Sequence, residues 1–230
     1  MRASAIIVAA GSGSRLGRAE PKAFVPLRGY PMLHYSLAAV ARVAGIIEIV
    51  VTVPSGMEKA ARACALEAGA DSLPIKITPG GAERQDSVRI ALALTSAESE
   101  VVIVHDAARP LACPDLFAAC LAAAERGDGA IAAIPVADTL KRVTDGAITA
   151  TIPRAGLWQA QTPQAFRRSI LIAAHAQAVA KNFNATDDAD LSERIGARVE
   201  VIESLAPNFK VTTPADLGMA EAILDARVMR

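Results

Sequence analysis

Along the first 136 residues, short apolar runs alternate with longer segments of helical period. Ala5-Ile6-Ile7-Val8-Ala9-Ala10 is such a run, closed at once by Gly11, and it predicts a buried strand of a parallel sheet. Pro31 to Val43 carries Leu33, Leu37, Val40 and Ala41 at helical spacing, with proline in the first turn. Ile46 to Val53 is a second strand, followed by an alanine-rich helix, Glu58 to Ala68, stopped by Gly69. Ile75 to Ile77 is a short strand that runs into Pro79-Gly80-Gly81 and then a helix ending near Leu94. Val101 to Val104, a helix from Pro114 to Arg126, and a strand from Ala130 to Val136 complete the series. Such alternation predicts an α/β fold, a mostly parallel sheet with right-handed crossovers and helices on both faces.

The pattern changes at Asp138. Two alternating segments, Thr139 to Val143 and Ala147 to Ile152, flank Asp145-Gly146, a strong hairpin signal. The segment 138–158 therefore reads as a β-arm that leaves the sheet and returns near Trp158. Beyond it lie a helix from Ile170 to Ala180 and a short helix capped by Thr186-Asp187-Asp188. Val199 to Ile202 and Phe209 to Val211 read as late strands, and Pro214 opens a last helix to about Val228. There is no internal repeat, and the 230 residues read as a single domain with one arm.

Charge narrows the classes of partner. Lys+Arg and Asp+Glu are 24 each, so the formal net charge is zero, which argues against nucleic acid or a membrane held by bulk electrostatics. Cys64, Cys113 and Cys120 form no C-x-x-C pair, and the three histidines are far apart in sequence, so no zinc spacing exists. Reduced thiols in a cytoplasmic protein are expected. The apolar run after Met1-Arg2 is broken too early for a signal peptide, and no segment is long enough to span a bilayer.

Ligands of such sheets bind outside the carboxyl ends of the strands, so the loops beginning at Gly11, Gly80 and His105 are expected at one edge. The first, Gly11-Ser12-Gly13-Ser14, has the small residues that let backbone N–H groups surround a phosphate, and Arg15, Arg18 and Lys22 follow it. It is not the dinucleotide fingerprint: the third glycine, Gly17, is one residue late, and the second strand ends in Pro54-Ser55 where that motif wants an acid. It is not a phosphate loop of the G-K-[ST] type either. Asp106 stands at the end of a buried strand, where its charge needs a partner. Arg109, a ribose hydroxyl or a magnesium ion would each serve. Gly80-Gly81 either lets a backbone edge meet a pyrimidine, with Ser87 adding a hydroxyl, or is a plain turn into a helix. Lys22 and Lys210, two of six lysines, sit in tight local contexts and are candidate point charges on phosphate.

The motifs AAGSGSRLG…PK, GGAERQDSV, HDAARP, DTLKR, GLWQAQTPQ, TDDA and NFKVTTPADL occur in this order from Ala5 to about Leu224. As a set they resemble the 2-C-methyl-D-erythritol 4-phosphate cytidylyltransferases. The resemblance implies a Rossmann-like nucleotidyltransferase core, CTP with Mg²⁺, a polyol phosphate substrate and a homodimer with arm-mediated shared sites. It assigns transition-state stabilisation to Arg15 and Lys22, and places Arg154 and Lys210 with them as residues that position the substrate. It puts Ala9, Ala10, Gly11, Gly13, Gly81, Ala82, Ser87, Asp106 and Ala107 around the nucleotide. It puts Arg109, Thr139, Arg154, Thr162 and Lys210 around the substrate, and Asp106 beside the metal. Ala82 stands where some relatives carry Asp, which matters only if the base is read by side chains. The alternatives are a ribitol 5-phosphate cytidylyltransferase, which would share the loop and pyrimidine pocket, and a non-catalytic nucleotide-binding module. Against the latter stand Arg15, Lys22, Asp106 and Lys210 together. A dehydrogenase is disfavoured by the misplaced glycine and by Pro54.

Overall fold

The apolar run near the N-terminus becomes the strand on which the sheet is hung. In the computed structural model, which describes residues 1–11, 13, 16–17, 20–204 and 207–228, this strand is β1, Ala3–Val8. It ends two residues earlier than its hydrophobicity suggests, leaving Ala9 and Ala10 to begin the loop. The chain continues through a small ribbon, β2 (Pro26–Leu27) and β3 (Tyr30–Pro31), into α1 (Met32–Val40), β4 (Ile46–Val53), α2 (Glu58–Glu67) and β5 (Ile75–Pro79). Then follow α3 (Arg84–Ala93), β6 (Val101–Asp106), α4 (Pro114–Arg126) and β7 (Gly129–Pro135). The arm is β8 (Leu140–Thr144) and β9 (Ala147–Ile152). The chain closes with β10 (Trp158–Arg167), α5 (Arg168–Lys181), α6 (Asp188–Glu193), β11 (Val199–Glu203) and α7 (Pro214–Val228).

The main sheet has seven strands in the order β11-β7-β10-β6-β1-β4-β5. β1 is parallel to β4 on one side and to β6 on the other, with Val8 level with Thr52 and Asp106. The strand order reverses between β1 and β6, and ligands of open α/β sheets bind at such a switch point. Successive side chains of a strand face opposite ways. Ala5 and Ile7 accordingly join the core under α1, α2 and α4, whereas Ile6 joins Val88, Leu92, Phe166 and Leu171 on the other face.

The chain returns from the arm near Trp158 as expected, and there it opens β10, a ten-residue antiparallel strand inserted between β6 and β7 that the sequence pattern did not predict. Its sequence, WQAQTPQAFR, has no apolar run and contains a proline, which removes a ladder donor. The strand tolerates Pro163 because its pairing with β7 is interrupted between Ala160 and Gln164, and its pairing with β6 begins only at Gln164. Conversely, Phe209 to Val211 is not a strand. A hydrogen bond from Val211 N to Ala108 O, 2.8 Å, holds the segment over the turn that follows β6, and this is what carries Lys210 to the sheet edge.

The hairpin forms as expected. Asp145 and Gly146 have φ of 50° and 79°, the two left-handed residues of a tight turn matched to strand twist. Val143 and Ile148 pair across the arm and are both exposed. No helix among the described residues is long and apolar enough to cross a membrane.

Candidate active site

Three loops meet over the switch point and enclose a cavity of about 310 Å³. Val8 to Gly11 and Gly13 come from the end of β1, Gly81 to Arg84 and Ser87 from the start of α3, and Asp106 to Ala108 from the end of β6. Lys22, Lys210 and Thr212 also line it. Every nucleotide-site residue expected from the sequence lines this cavity: Ala9, Ala10, Gly11, Gly13, Gly81, Ala82, Ser87, Asp106 and Ala107. Arg15 lies outside the described residues, as does Arg18.

Three glycines of the site are forced by close approach: Gly13, Gly80 and Gly81, the last against the backbone and Cβ of Asp86. Gly13 has φ +68°, and a Cβ there would stand 3.0 Å from Lys22 Cγ and nearer still to Lys22 Cβ. The bare backbone of Gly13 thus lies against the root of Lys22. Lys22 itself opens a single 3₁₀ turn, with Pro21 O accepting from Phe24 N at 2.8 Å and Ala23 and Phe24 buried beneath it. Gly80 packs on Ala10, and a Cβ there would come within 2.7 Å of Ser87 Oγ. That hydroxyl is already engaged: it accepts from Gly81 N at 3.1 Å and donates to Glu83 O at 3.2 Å. Ser87 therefore shapes the loop.

Asp106 is 6% exposed and its charge is fully matched. Oδ1 accepts from Arg84 Nε at 3.0 Å and Oδ2 from Lys210 Nζ at 2.7 Å. Burial pushes its pKa up, but Arg84 and Lys210 outweigh that and hold the carboxyl well below the usual range. The partner is thus Arg84 and not Arg109, whose Nη1 donates instead to Asn208 O at 2.8 Å. These contacts also test the expected metal role. Each Asp106 oxygen accepts one bond from a cation and keeps a free lone pair, so a magnesium ion there would share the carboxylate with Arg84 and Lys210.

Thr162, expected beside the substrate, is buried behind Asp106. Its Oγ1 accepts from Asp106 N at 3.0 Å and lies 3.1 Å from His105 Nδ1. With Asp106 N donating, the hydroxyl hydrogen is left for Nδ1. His105 then carries its proton on Nε2, which donates to Arg109 O at 3.2 Å. Burial lowers the His105 pKa to about 4, which keeps the ring neutral near pH 7. Thr139 and Arg154 are exposed on the arm and its return and do not line the cavity of their own chain.

The profile of the family described as 2-C-methyl-D-erythritol 4-phosphate cytidylyltransferase matches residues 3–226. The chain belongs to this family. It is 44% identical over 221 residues to the family's protein of that name from Syntrophotalea carbinolica, covering 96% of this chain and 95% of the relative. It is 46% identical over 222 residues to that from Deinococcus radiodurans, covering 96% and 89%. The crystal structure of the family's enzyme from Thermus thermophilus superposes with a TM-score of 0.81 at 36% identity, covering 98% of this chain and all of that one. The sheet with its inserted antiparallel strand is therefore the family's nucleotidyltransferase fold.

Sequence reasoning passed over Arg84 and Asp188. Arg84 Nη1 donates to Asp188 Oδ2 at 2.8 Å while its Nε holds Asp106. The sequence places Asp188 in the cap of α6. The cap is Asp187, whose side chain accepts from Asp190 N at 2.9 Å, and Asp188 points inward instead. The signal was present in principle: two acids beside apolar segments required a buried cation.

Proposed function

We propose that the cavity at the ends of β1 and β6 transfers the cytidylyl group of CTP to 2-C-methyl-D-erythritol 4-phosphate, a step of the non-mevalonate isoprenoid pathway. Pyrophosphate leaves and 4-diphosphocytidyl-2-C-methyl-D-erythritol forms. Family membership makes the chain a cytidylyltransferase. The observation that carries the mechanism is that Lys22 and Lys210, from opposite ends of the chain, line one cavity together with the small-residue loop after β1.

Both reactants are anions, so the work is charge neutralisation and alignment. An oxygen of the substrate phosphate attacks the α-phosphorus in line. The new P–O bond forms as the bond to the bridging oxygen breaks, and pyrophosphate carries away the electron pair. No general base is required, because a phosphate monoester is already ionised near neutral pH. The backbone around Ala9 to Gly13 receives the phosphates, and the loop Gly80–Glu83 presents main-chain groups to the cytosine. Lys22 neutralises charge that builds at the α-phosphate, and Lys210, steadied by Asp106, faces the incoming phosphate. Asp106 is the residue that would hold a magnesium ion together with phosphate oxygens, and such an ion would add to the neutralisation of the triphosphate charge.

The working unit is a homodimer. The arm exposes Val143, Ile148, Leu157 and Trp158, a strip that a two-stranded hairpin cannot bury by itself. Arg154 and Thr139 do not line their own cavity, so a neighbour's cavity is where they reach substrate. A cytoplasmic setting accords with the three free cysteines.

The test is pyrophosphate release from CTP with a panel of polyol phosphates. Release with 2-C-methyl-D-erythritol 4-phosphate, and little with ribitol 5-phosphate, is expected. Preference for ribitol 5-phosphate, or NAD binding without release, would replace this reading.

A further inference from the structure

Four charged side chains run in line from the cavity rim into the interior. Lys210 Nζ meets Asp106 Oδ2 at 2.7 Å, and Asp106 Oδ1 meets Arg84 Nε at 3.0 Å. Arg84 Nη1 meets Asp188 Oδ2 at 2.8 Å. The Lys210 side chain is 40% exposed and that of Asp188 is 1% exposed. Asp188 lies in the first turn of α6 and does not line the cavity; its Oδ2 holds Arg84, and its Oδ1 faces the buried His175 Nε2 at 3.4 Å.

A buried ion pair is weak evidence for stability, because apolar side chains of similar volume often serve as well. What such a pair does provide is a fixed orientation. The guanidinium is a rigid planar fork, so anchoring Nη1 on Asp188 also fixes where Nε points. Nε in turn selects the position of the Asp106 carboxylate, whose second oxygen holds Lys210. A parallel tether reinforces the anchor. Gln85 Nε2 donates to Phe183 O at 3.2 Å, and Gln85 Oε1 accepts from Ala185 N at 2.9 Å. The first turn of α3 is thereby tied twice to the α5–α6 connection. Because Arg84 opens α3 directly after the Gly80–Glu83 loop, the same anchor serves the base end and the phosphate end of the cavity.

We propose that Asp188 is a positioning residue: acting through Arg84 and Asp106, it sets where the Lys210 ammonium stands. The proposal rests on the reading of the cavity given above, and the two fail separately. Inactivity of the wild-type enzyme in the substrate panel would sink the reading, whereas the experiment below compares variants with an active wild type.

Asp188→Asn keeps the shape and one acceptor oxygen but removes the charge. It is expected to lower kcat by about ten- to a hundredfold, the range of coupling within one charged network, with the KM for CTP changed by less than about threefold. The second readout needs no turnover. The ¹³Cε–¹Hε signal of Lys210, assigned by its loss in Lys210→Ala, should move in Asp188→Asn toward the value of free lysine. Arg84→Lys keeps a cation between the two acids but gives up the fork, so it should reproduce both effects if Asp188→Asn does not fold. A folded variant with wild-type kcat, or with an unmoved Lys210 signal, would overturn the proposal.

Discussion

Gly13→Ala probes the join between the phosphate loop and Lys22. Two costs follow from the structure. At φ +68° an L-residue is strained, by about 1–2 kcal/mol. The new Cβ would also lie 3.2 Å from Lys22 Cα, 3.0 Å from Cγ and nearer to Cβ, where ordinary contact needs 3.4–4 Å. Relief requires the loop and Lys22 to part by about 1 Å, and a misplacement of that size at a reacting centre costs about 10² in rate. We expect a folded protein that melts a few degrees lower, with kcat down about a hundredfold in a coupled pyrophosphate assay. Lys22→Ala alone should lower kcat by about 10²–10³, as loss of a preorganised donor does. The informative variant is the double one. Lys22→Ala retains the Cβ at that position, so the strain and the stability loss persist, but no ammonium remains to misplace. Gly13→Ala should then cost less than about threefold further. Full kcat in Gly13→Ala, or the same fold-loss in both backgrounds, would show that the glycine does not aim Lys22.

Three further expectations concern the base, the acid range and the dimer. CTP should be preferred over UTP by about tenfold or more, because a mismatched buried hydrogen bond costs about 1–3 kcal/mol; Gly80→Ala, which pushes on Ala10 and Ser87 Oγ, should erode that preference by raising the KM for CTP. His105 should make the fold lose stability as pH falls from 6.5 toward 4: the unfolded ring takes up a proton in that window and the native ring does not, so stability rises with pH there by about 3 kcal/mol in all. Asp106 and Asp188, held below their usual range, lose their contributions only below about pH 4. Urea melts at pH 7 and 4.5 should therefore differ much less in His105→Gln than in wild type, and equal differences would contradict the neutral-ring assignment. For the dimer, Lys22→Ala and Arg154→Ala, each inactive, should recover about a quarter of wild-type activity when co-refolded one to one, since a mixed pair holds one intact site; verified mixed dimers with no recovery would place Arg154 in its own chain's site.

The strands that frame the cavity were readable because parallel strands buried on both faces leave continuous apolar runs, as in Ala5–Val8 and Val101–Val104. The arm was readable because Asp-Gly meets a backbone demand that few dipeptides meet. β10 was not, since its contacts come from place in the sheet and not from its composition. Lys210 was singled out for its local context, yet its position depends on a loop hydrogen bond to Ala108 rather than on the strand expected there. Arg84 was hidden by distance along the chain: Asp106 lies 22 residues away and Asp188 lies 104. Local patterning carries no trace of such pairings, although the need of a buried acid for a cation does. Thr162 and Ser87 were expected beside ligand; each hydroxyl also bonds neighbouring protein groups, contacts that residue type cannot foretell.

The arm stands on two legs that are themselves neighbours. The chain leaves through β7 and comes back as β10, with Pro135 level with Trp158 and Val136 N bonded to Leu157 O at 3.0 Å. The doorway is sealed below the hairpin, so the sheet does not register how long the excursion above it is. Such a graft point tolerates lengthening or shortening of the hairpin tip at Asp145-Gly146 without rethreading the sheet, so long as Thr139 and Arg154 near its base stay in place.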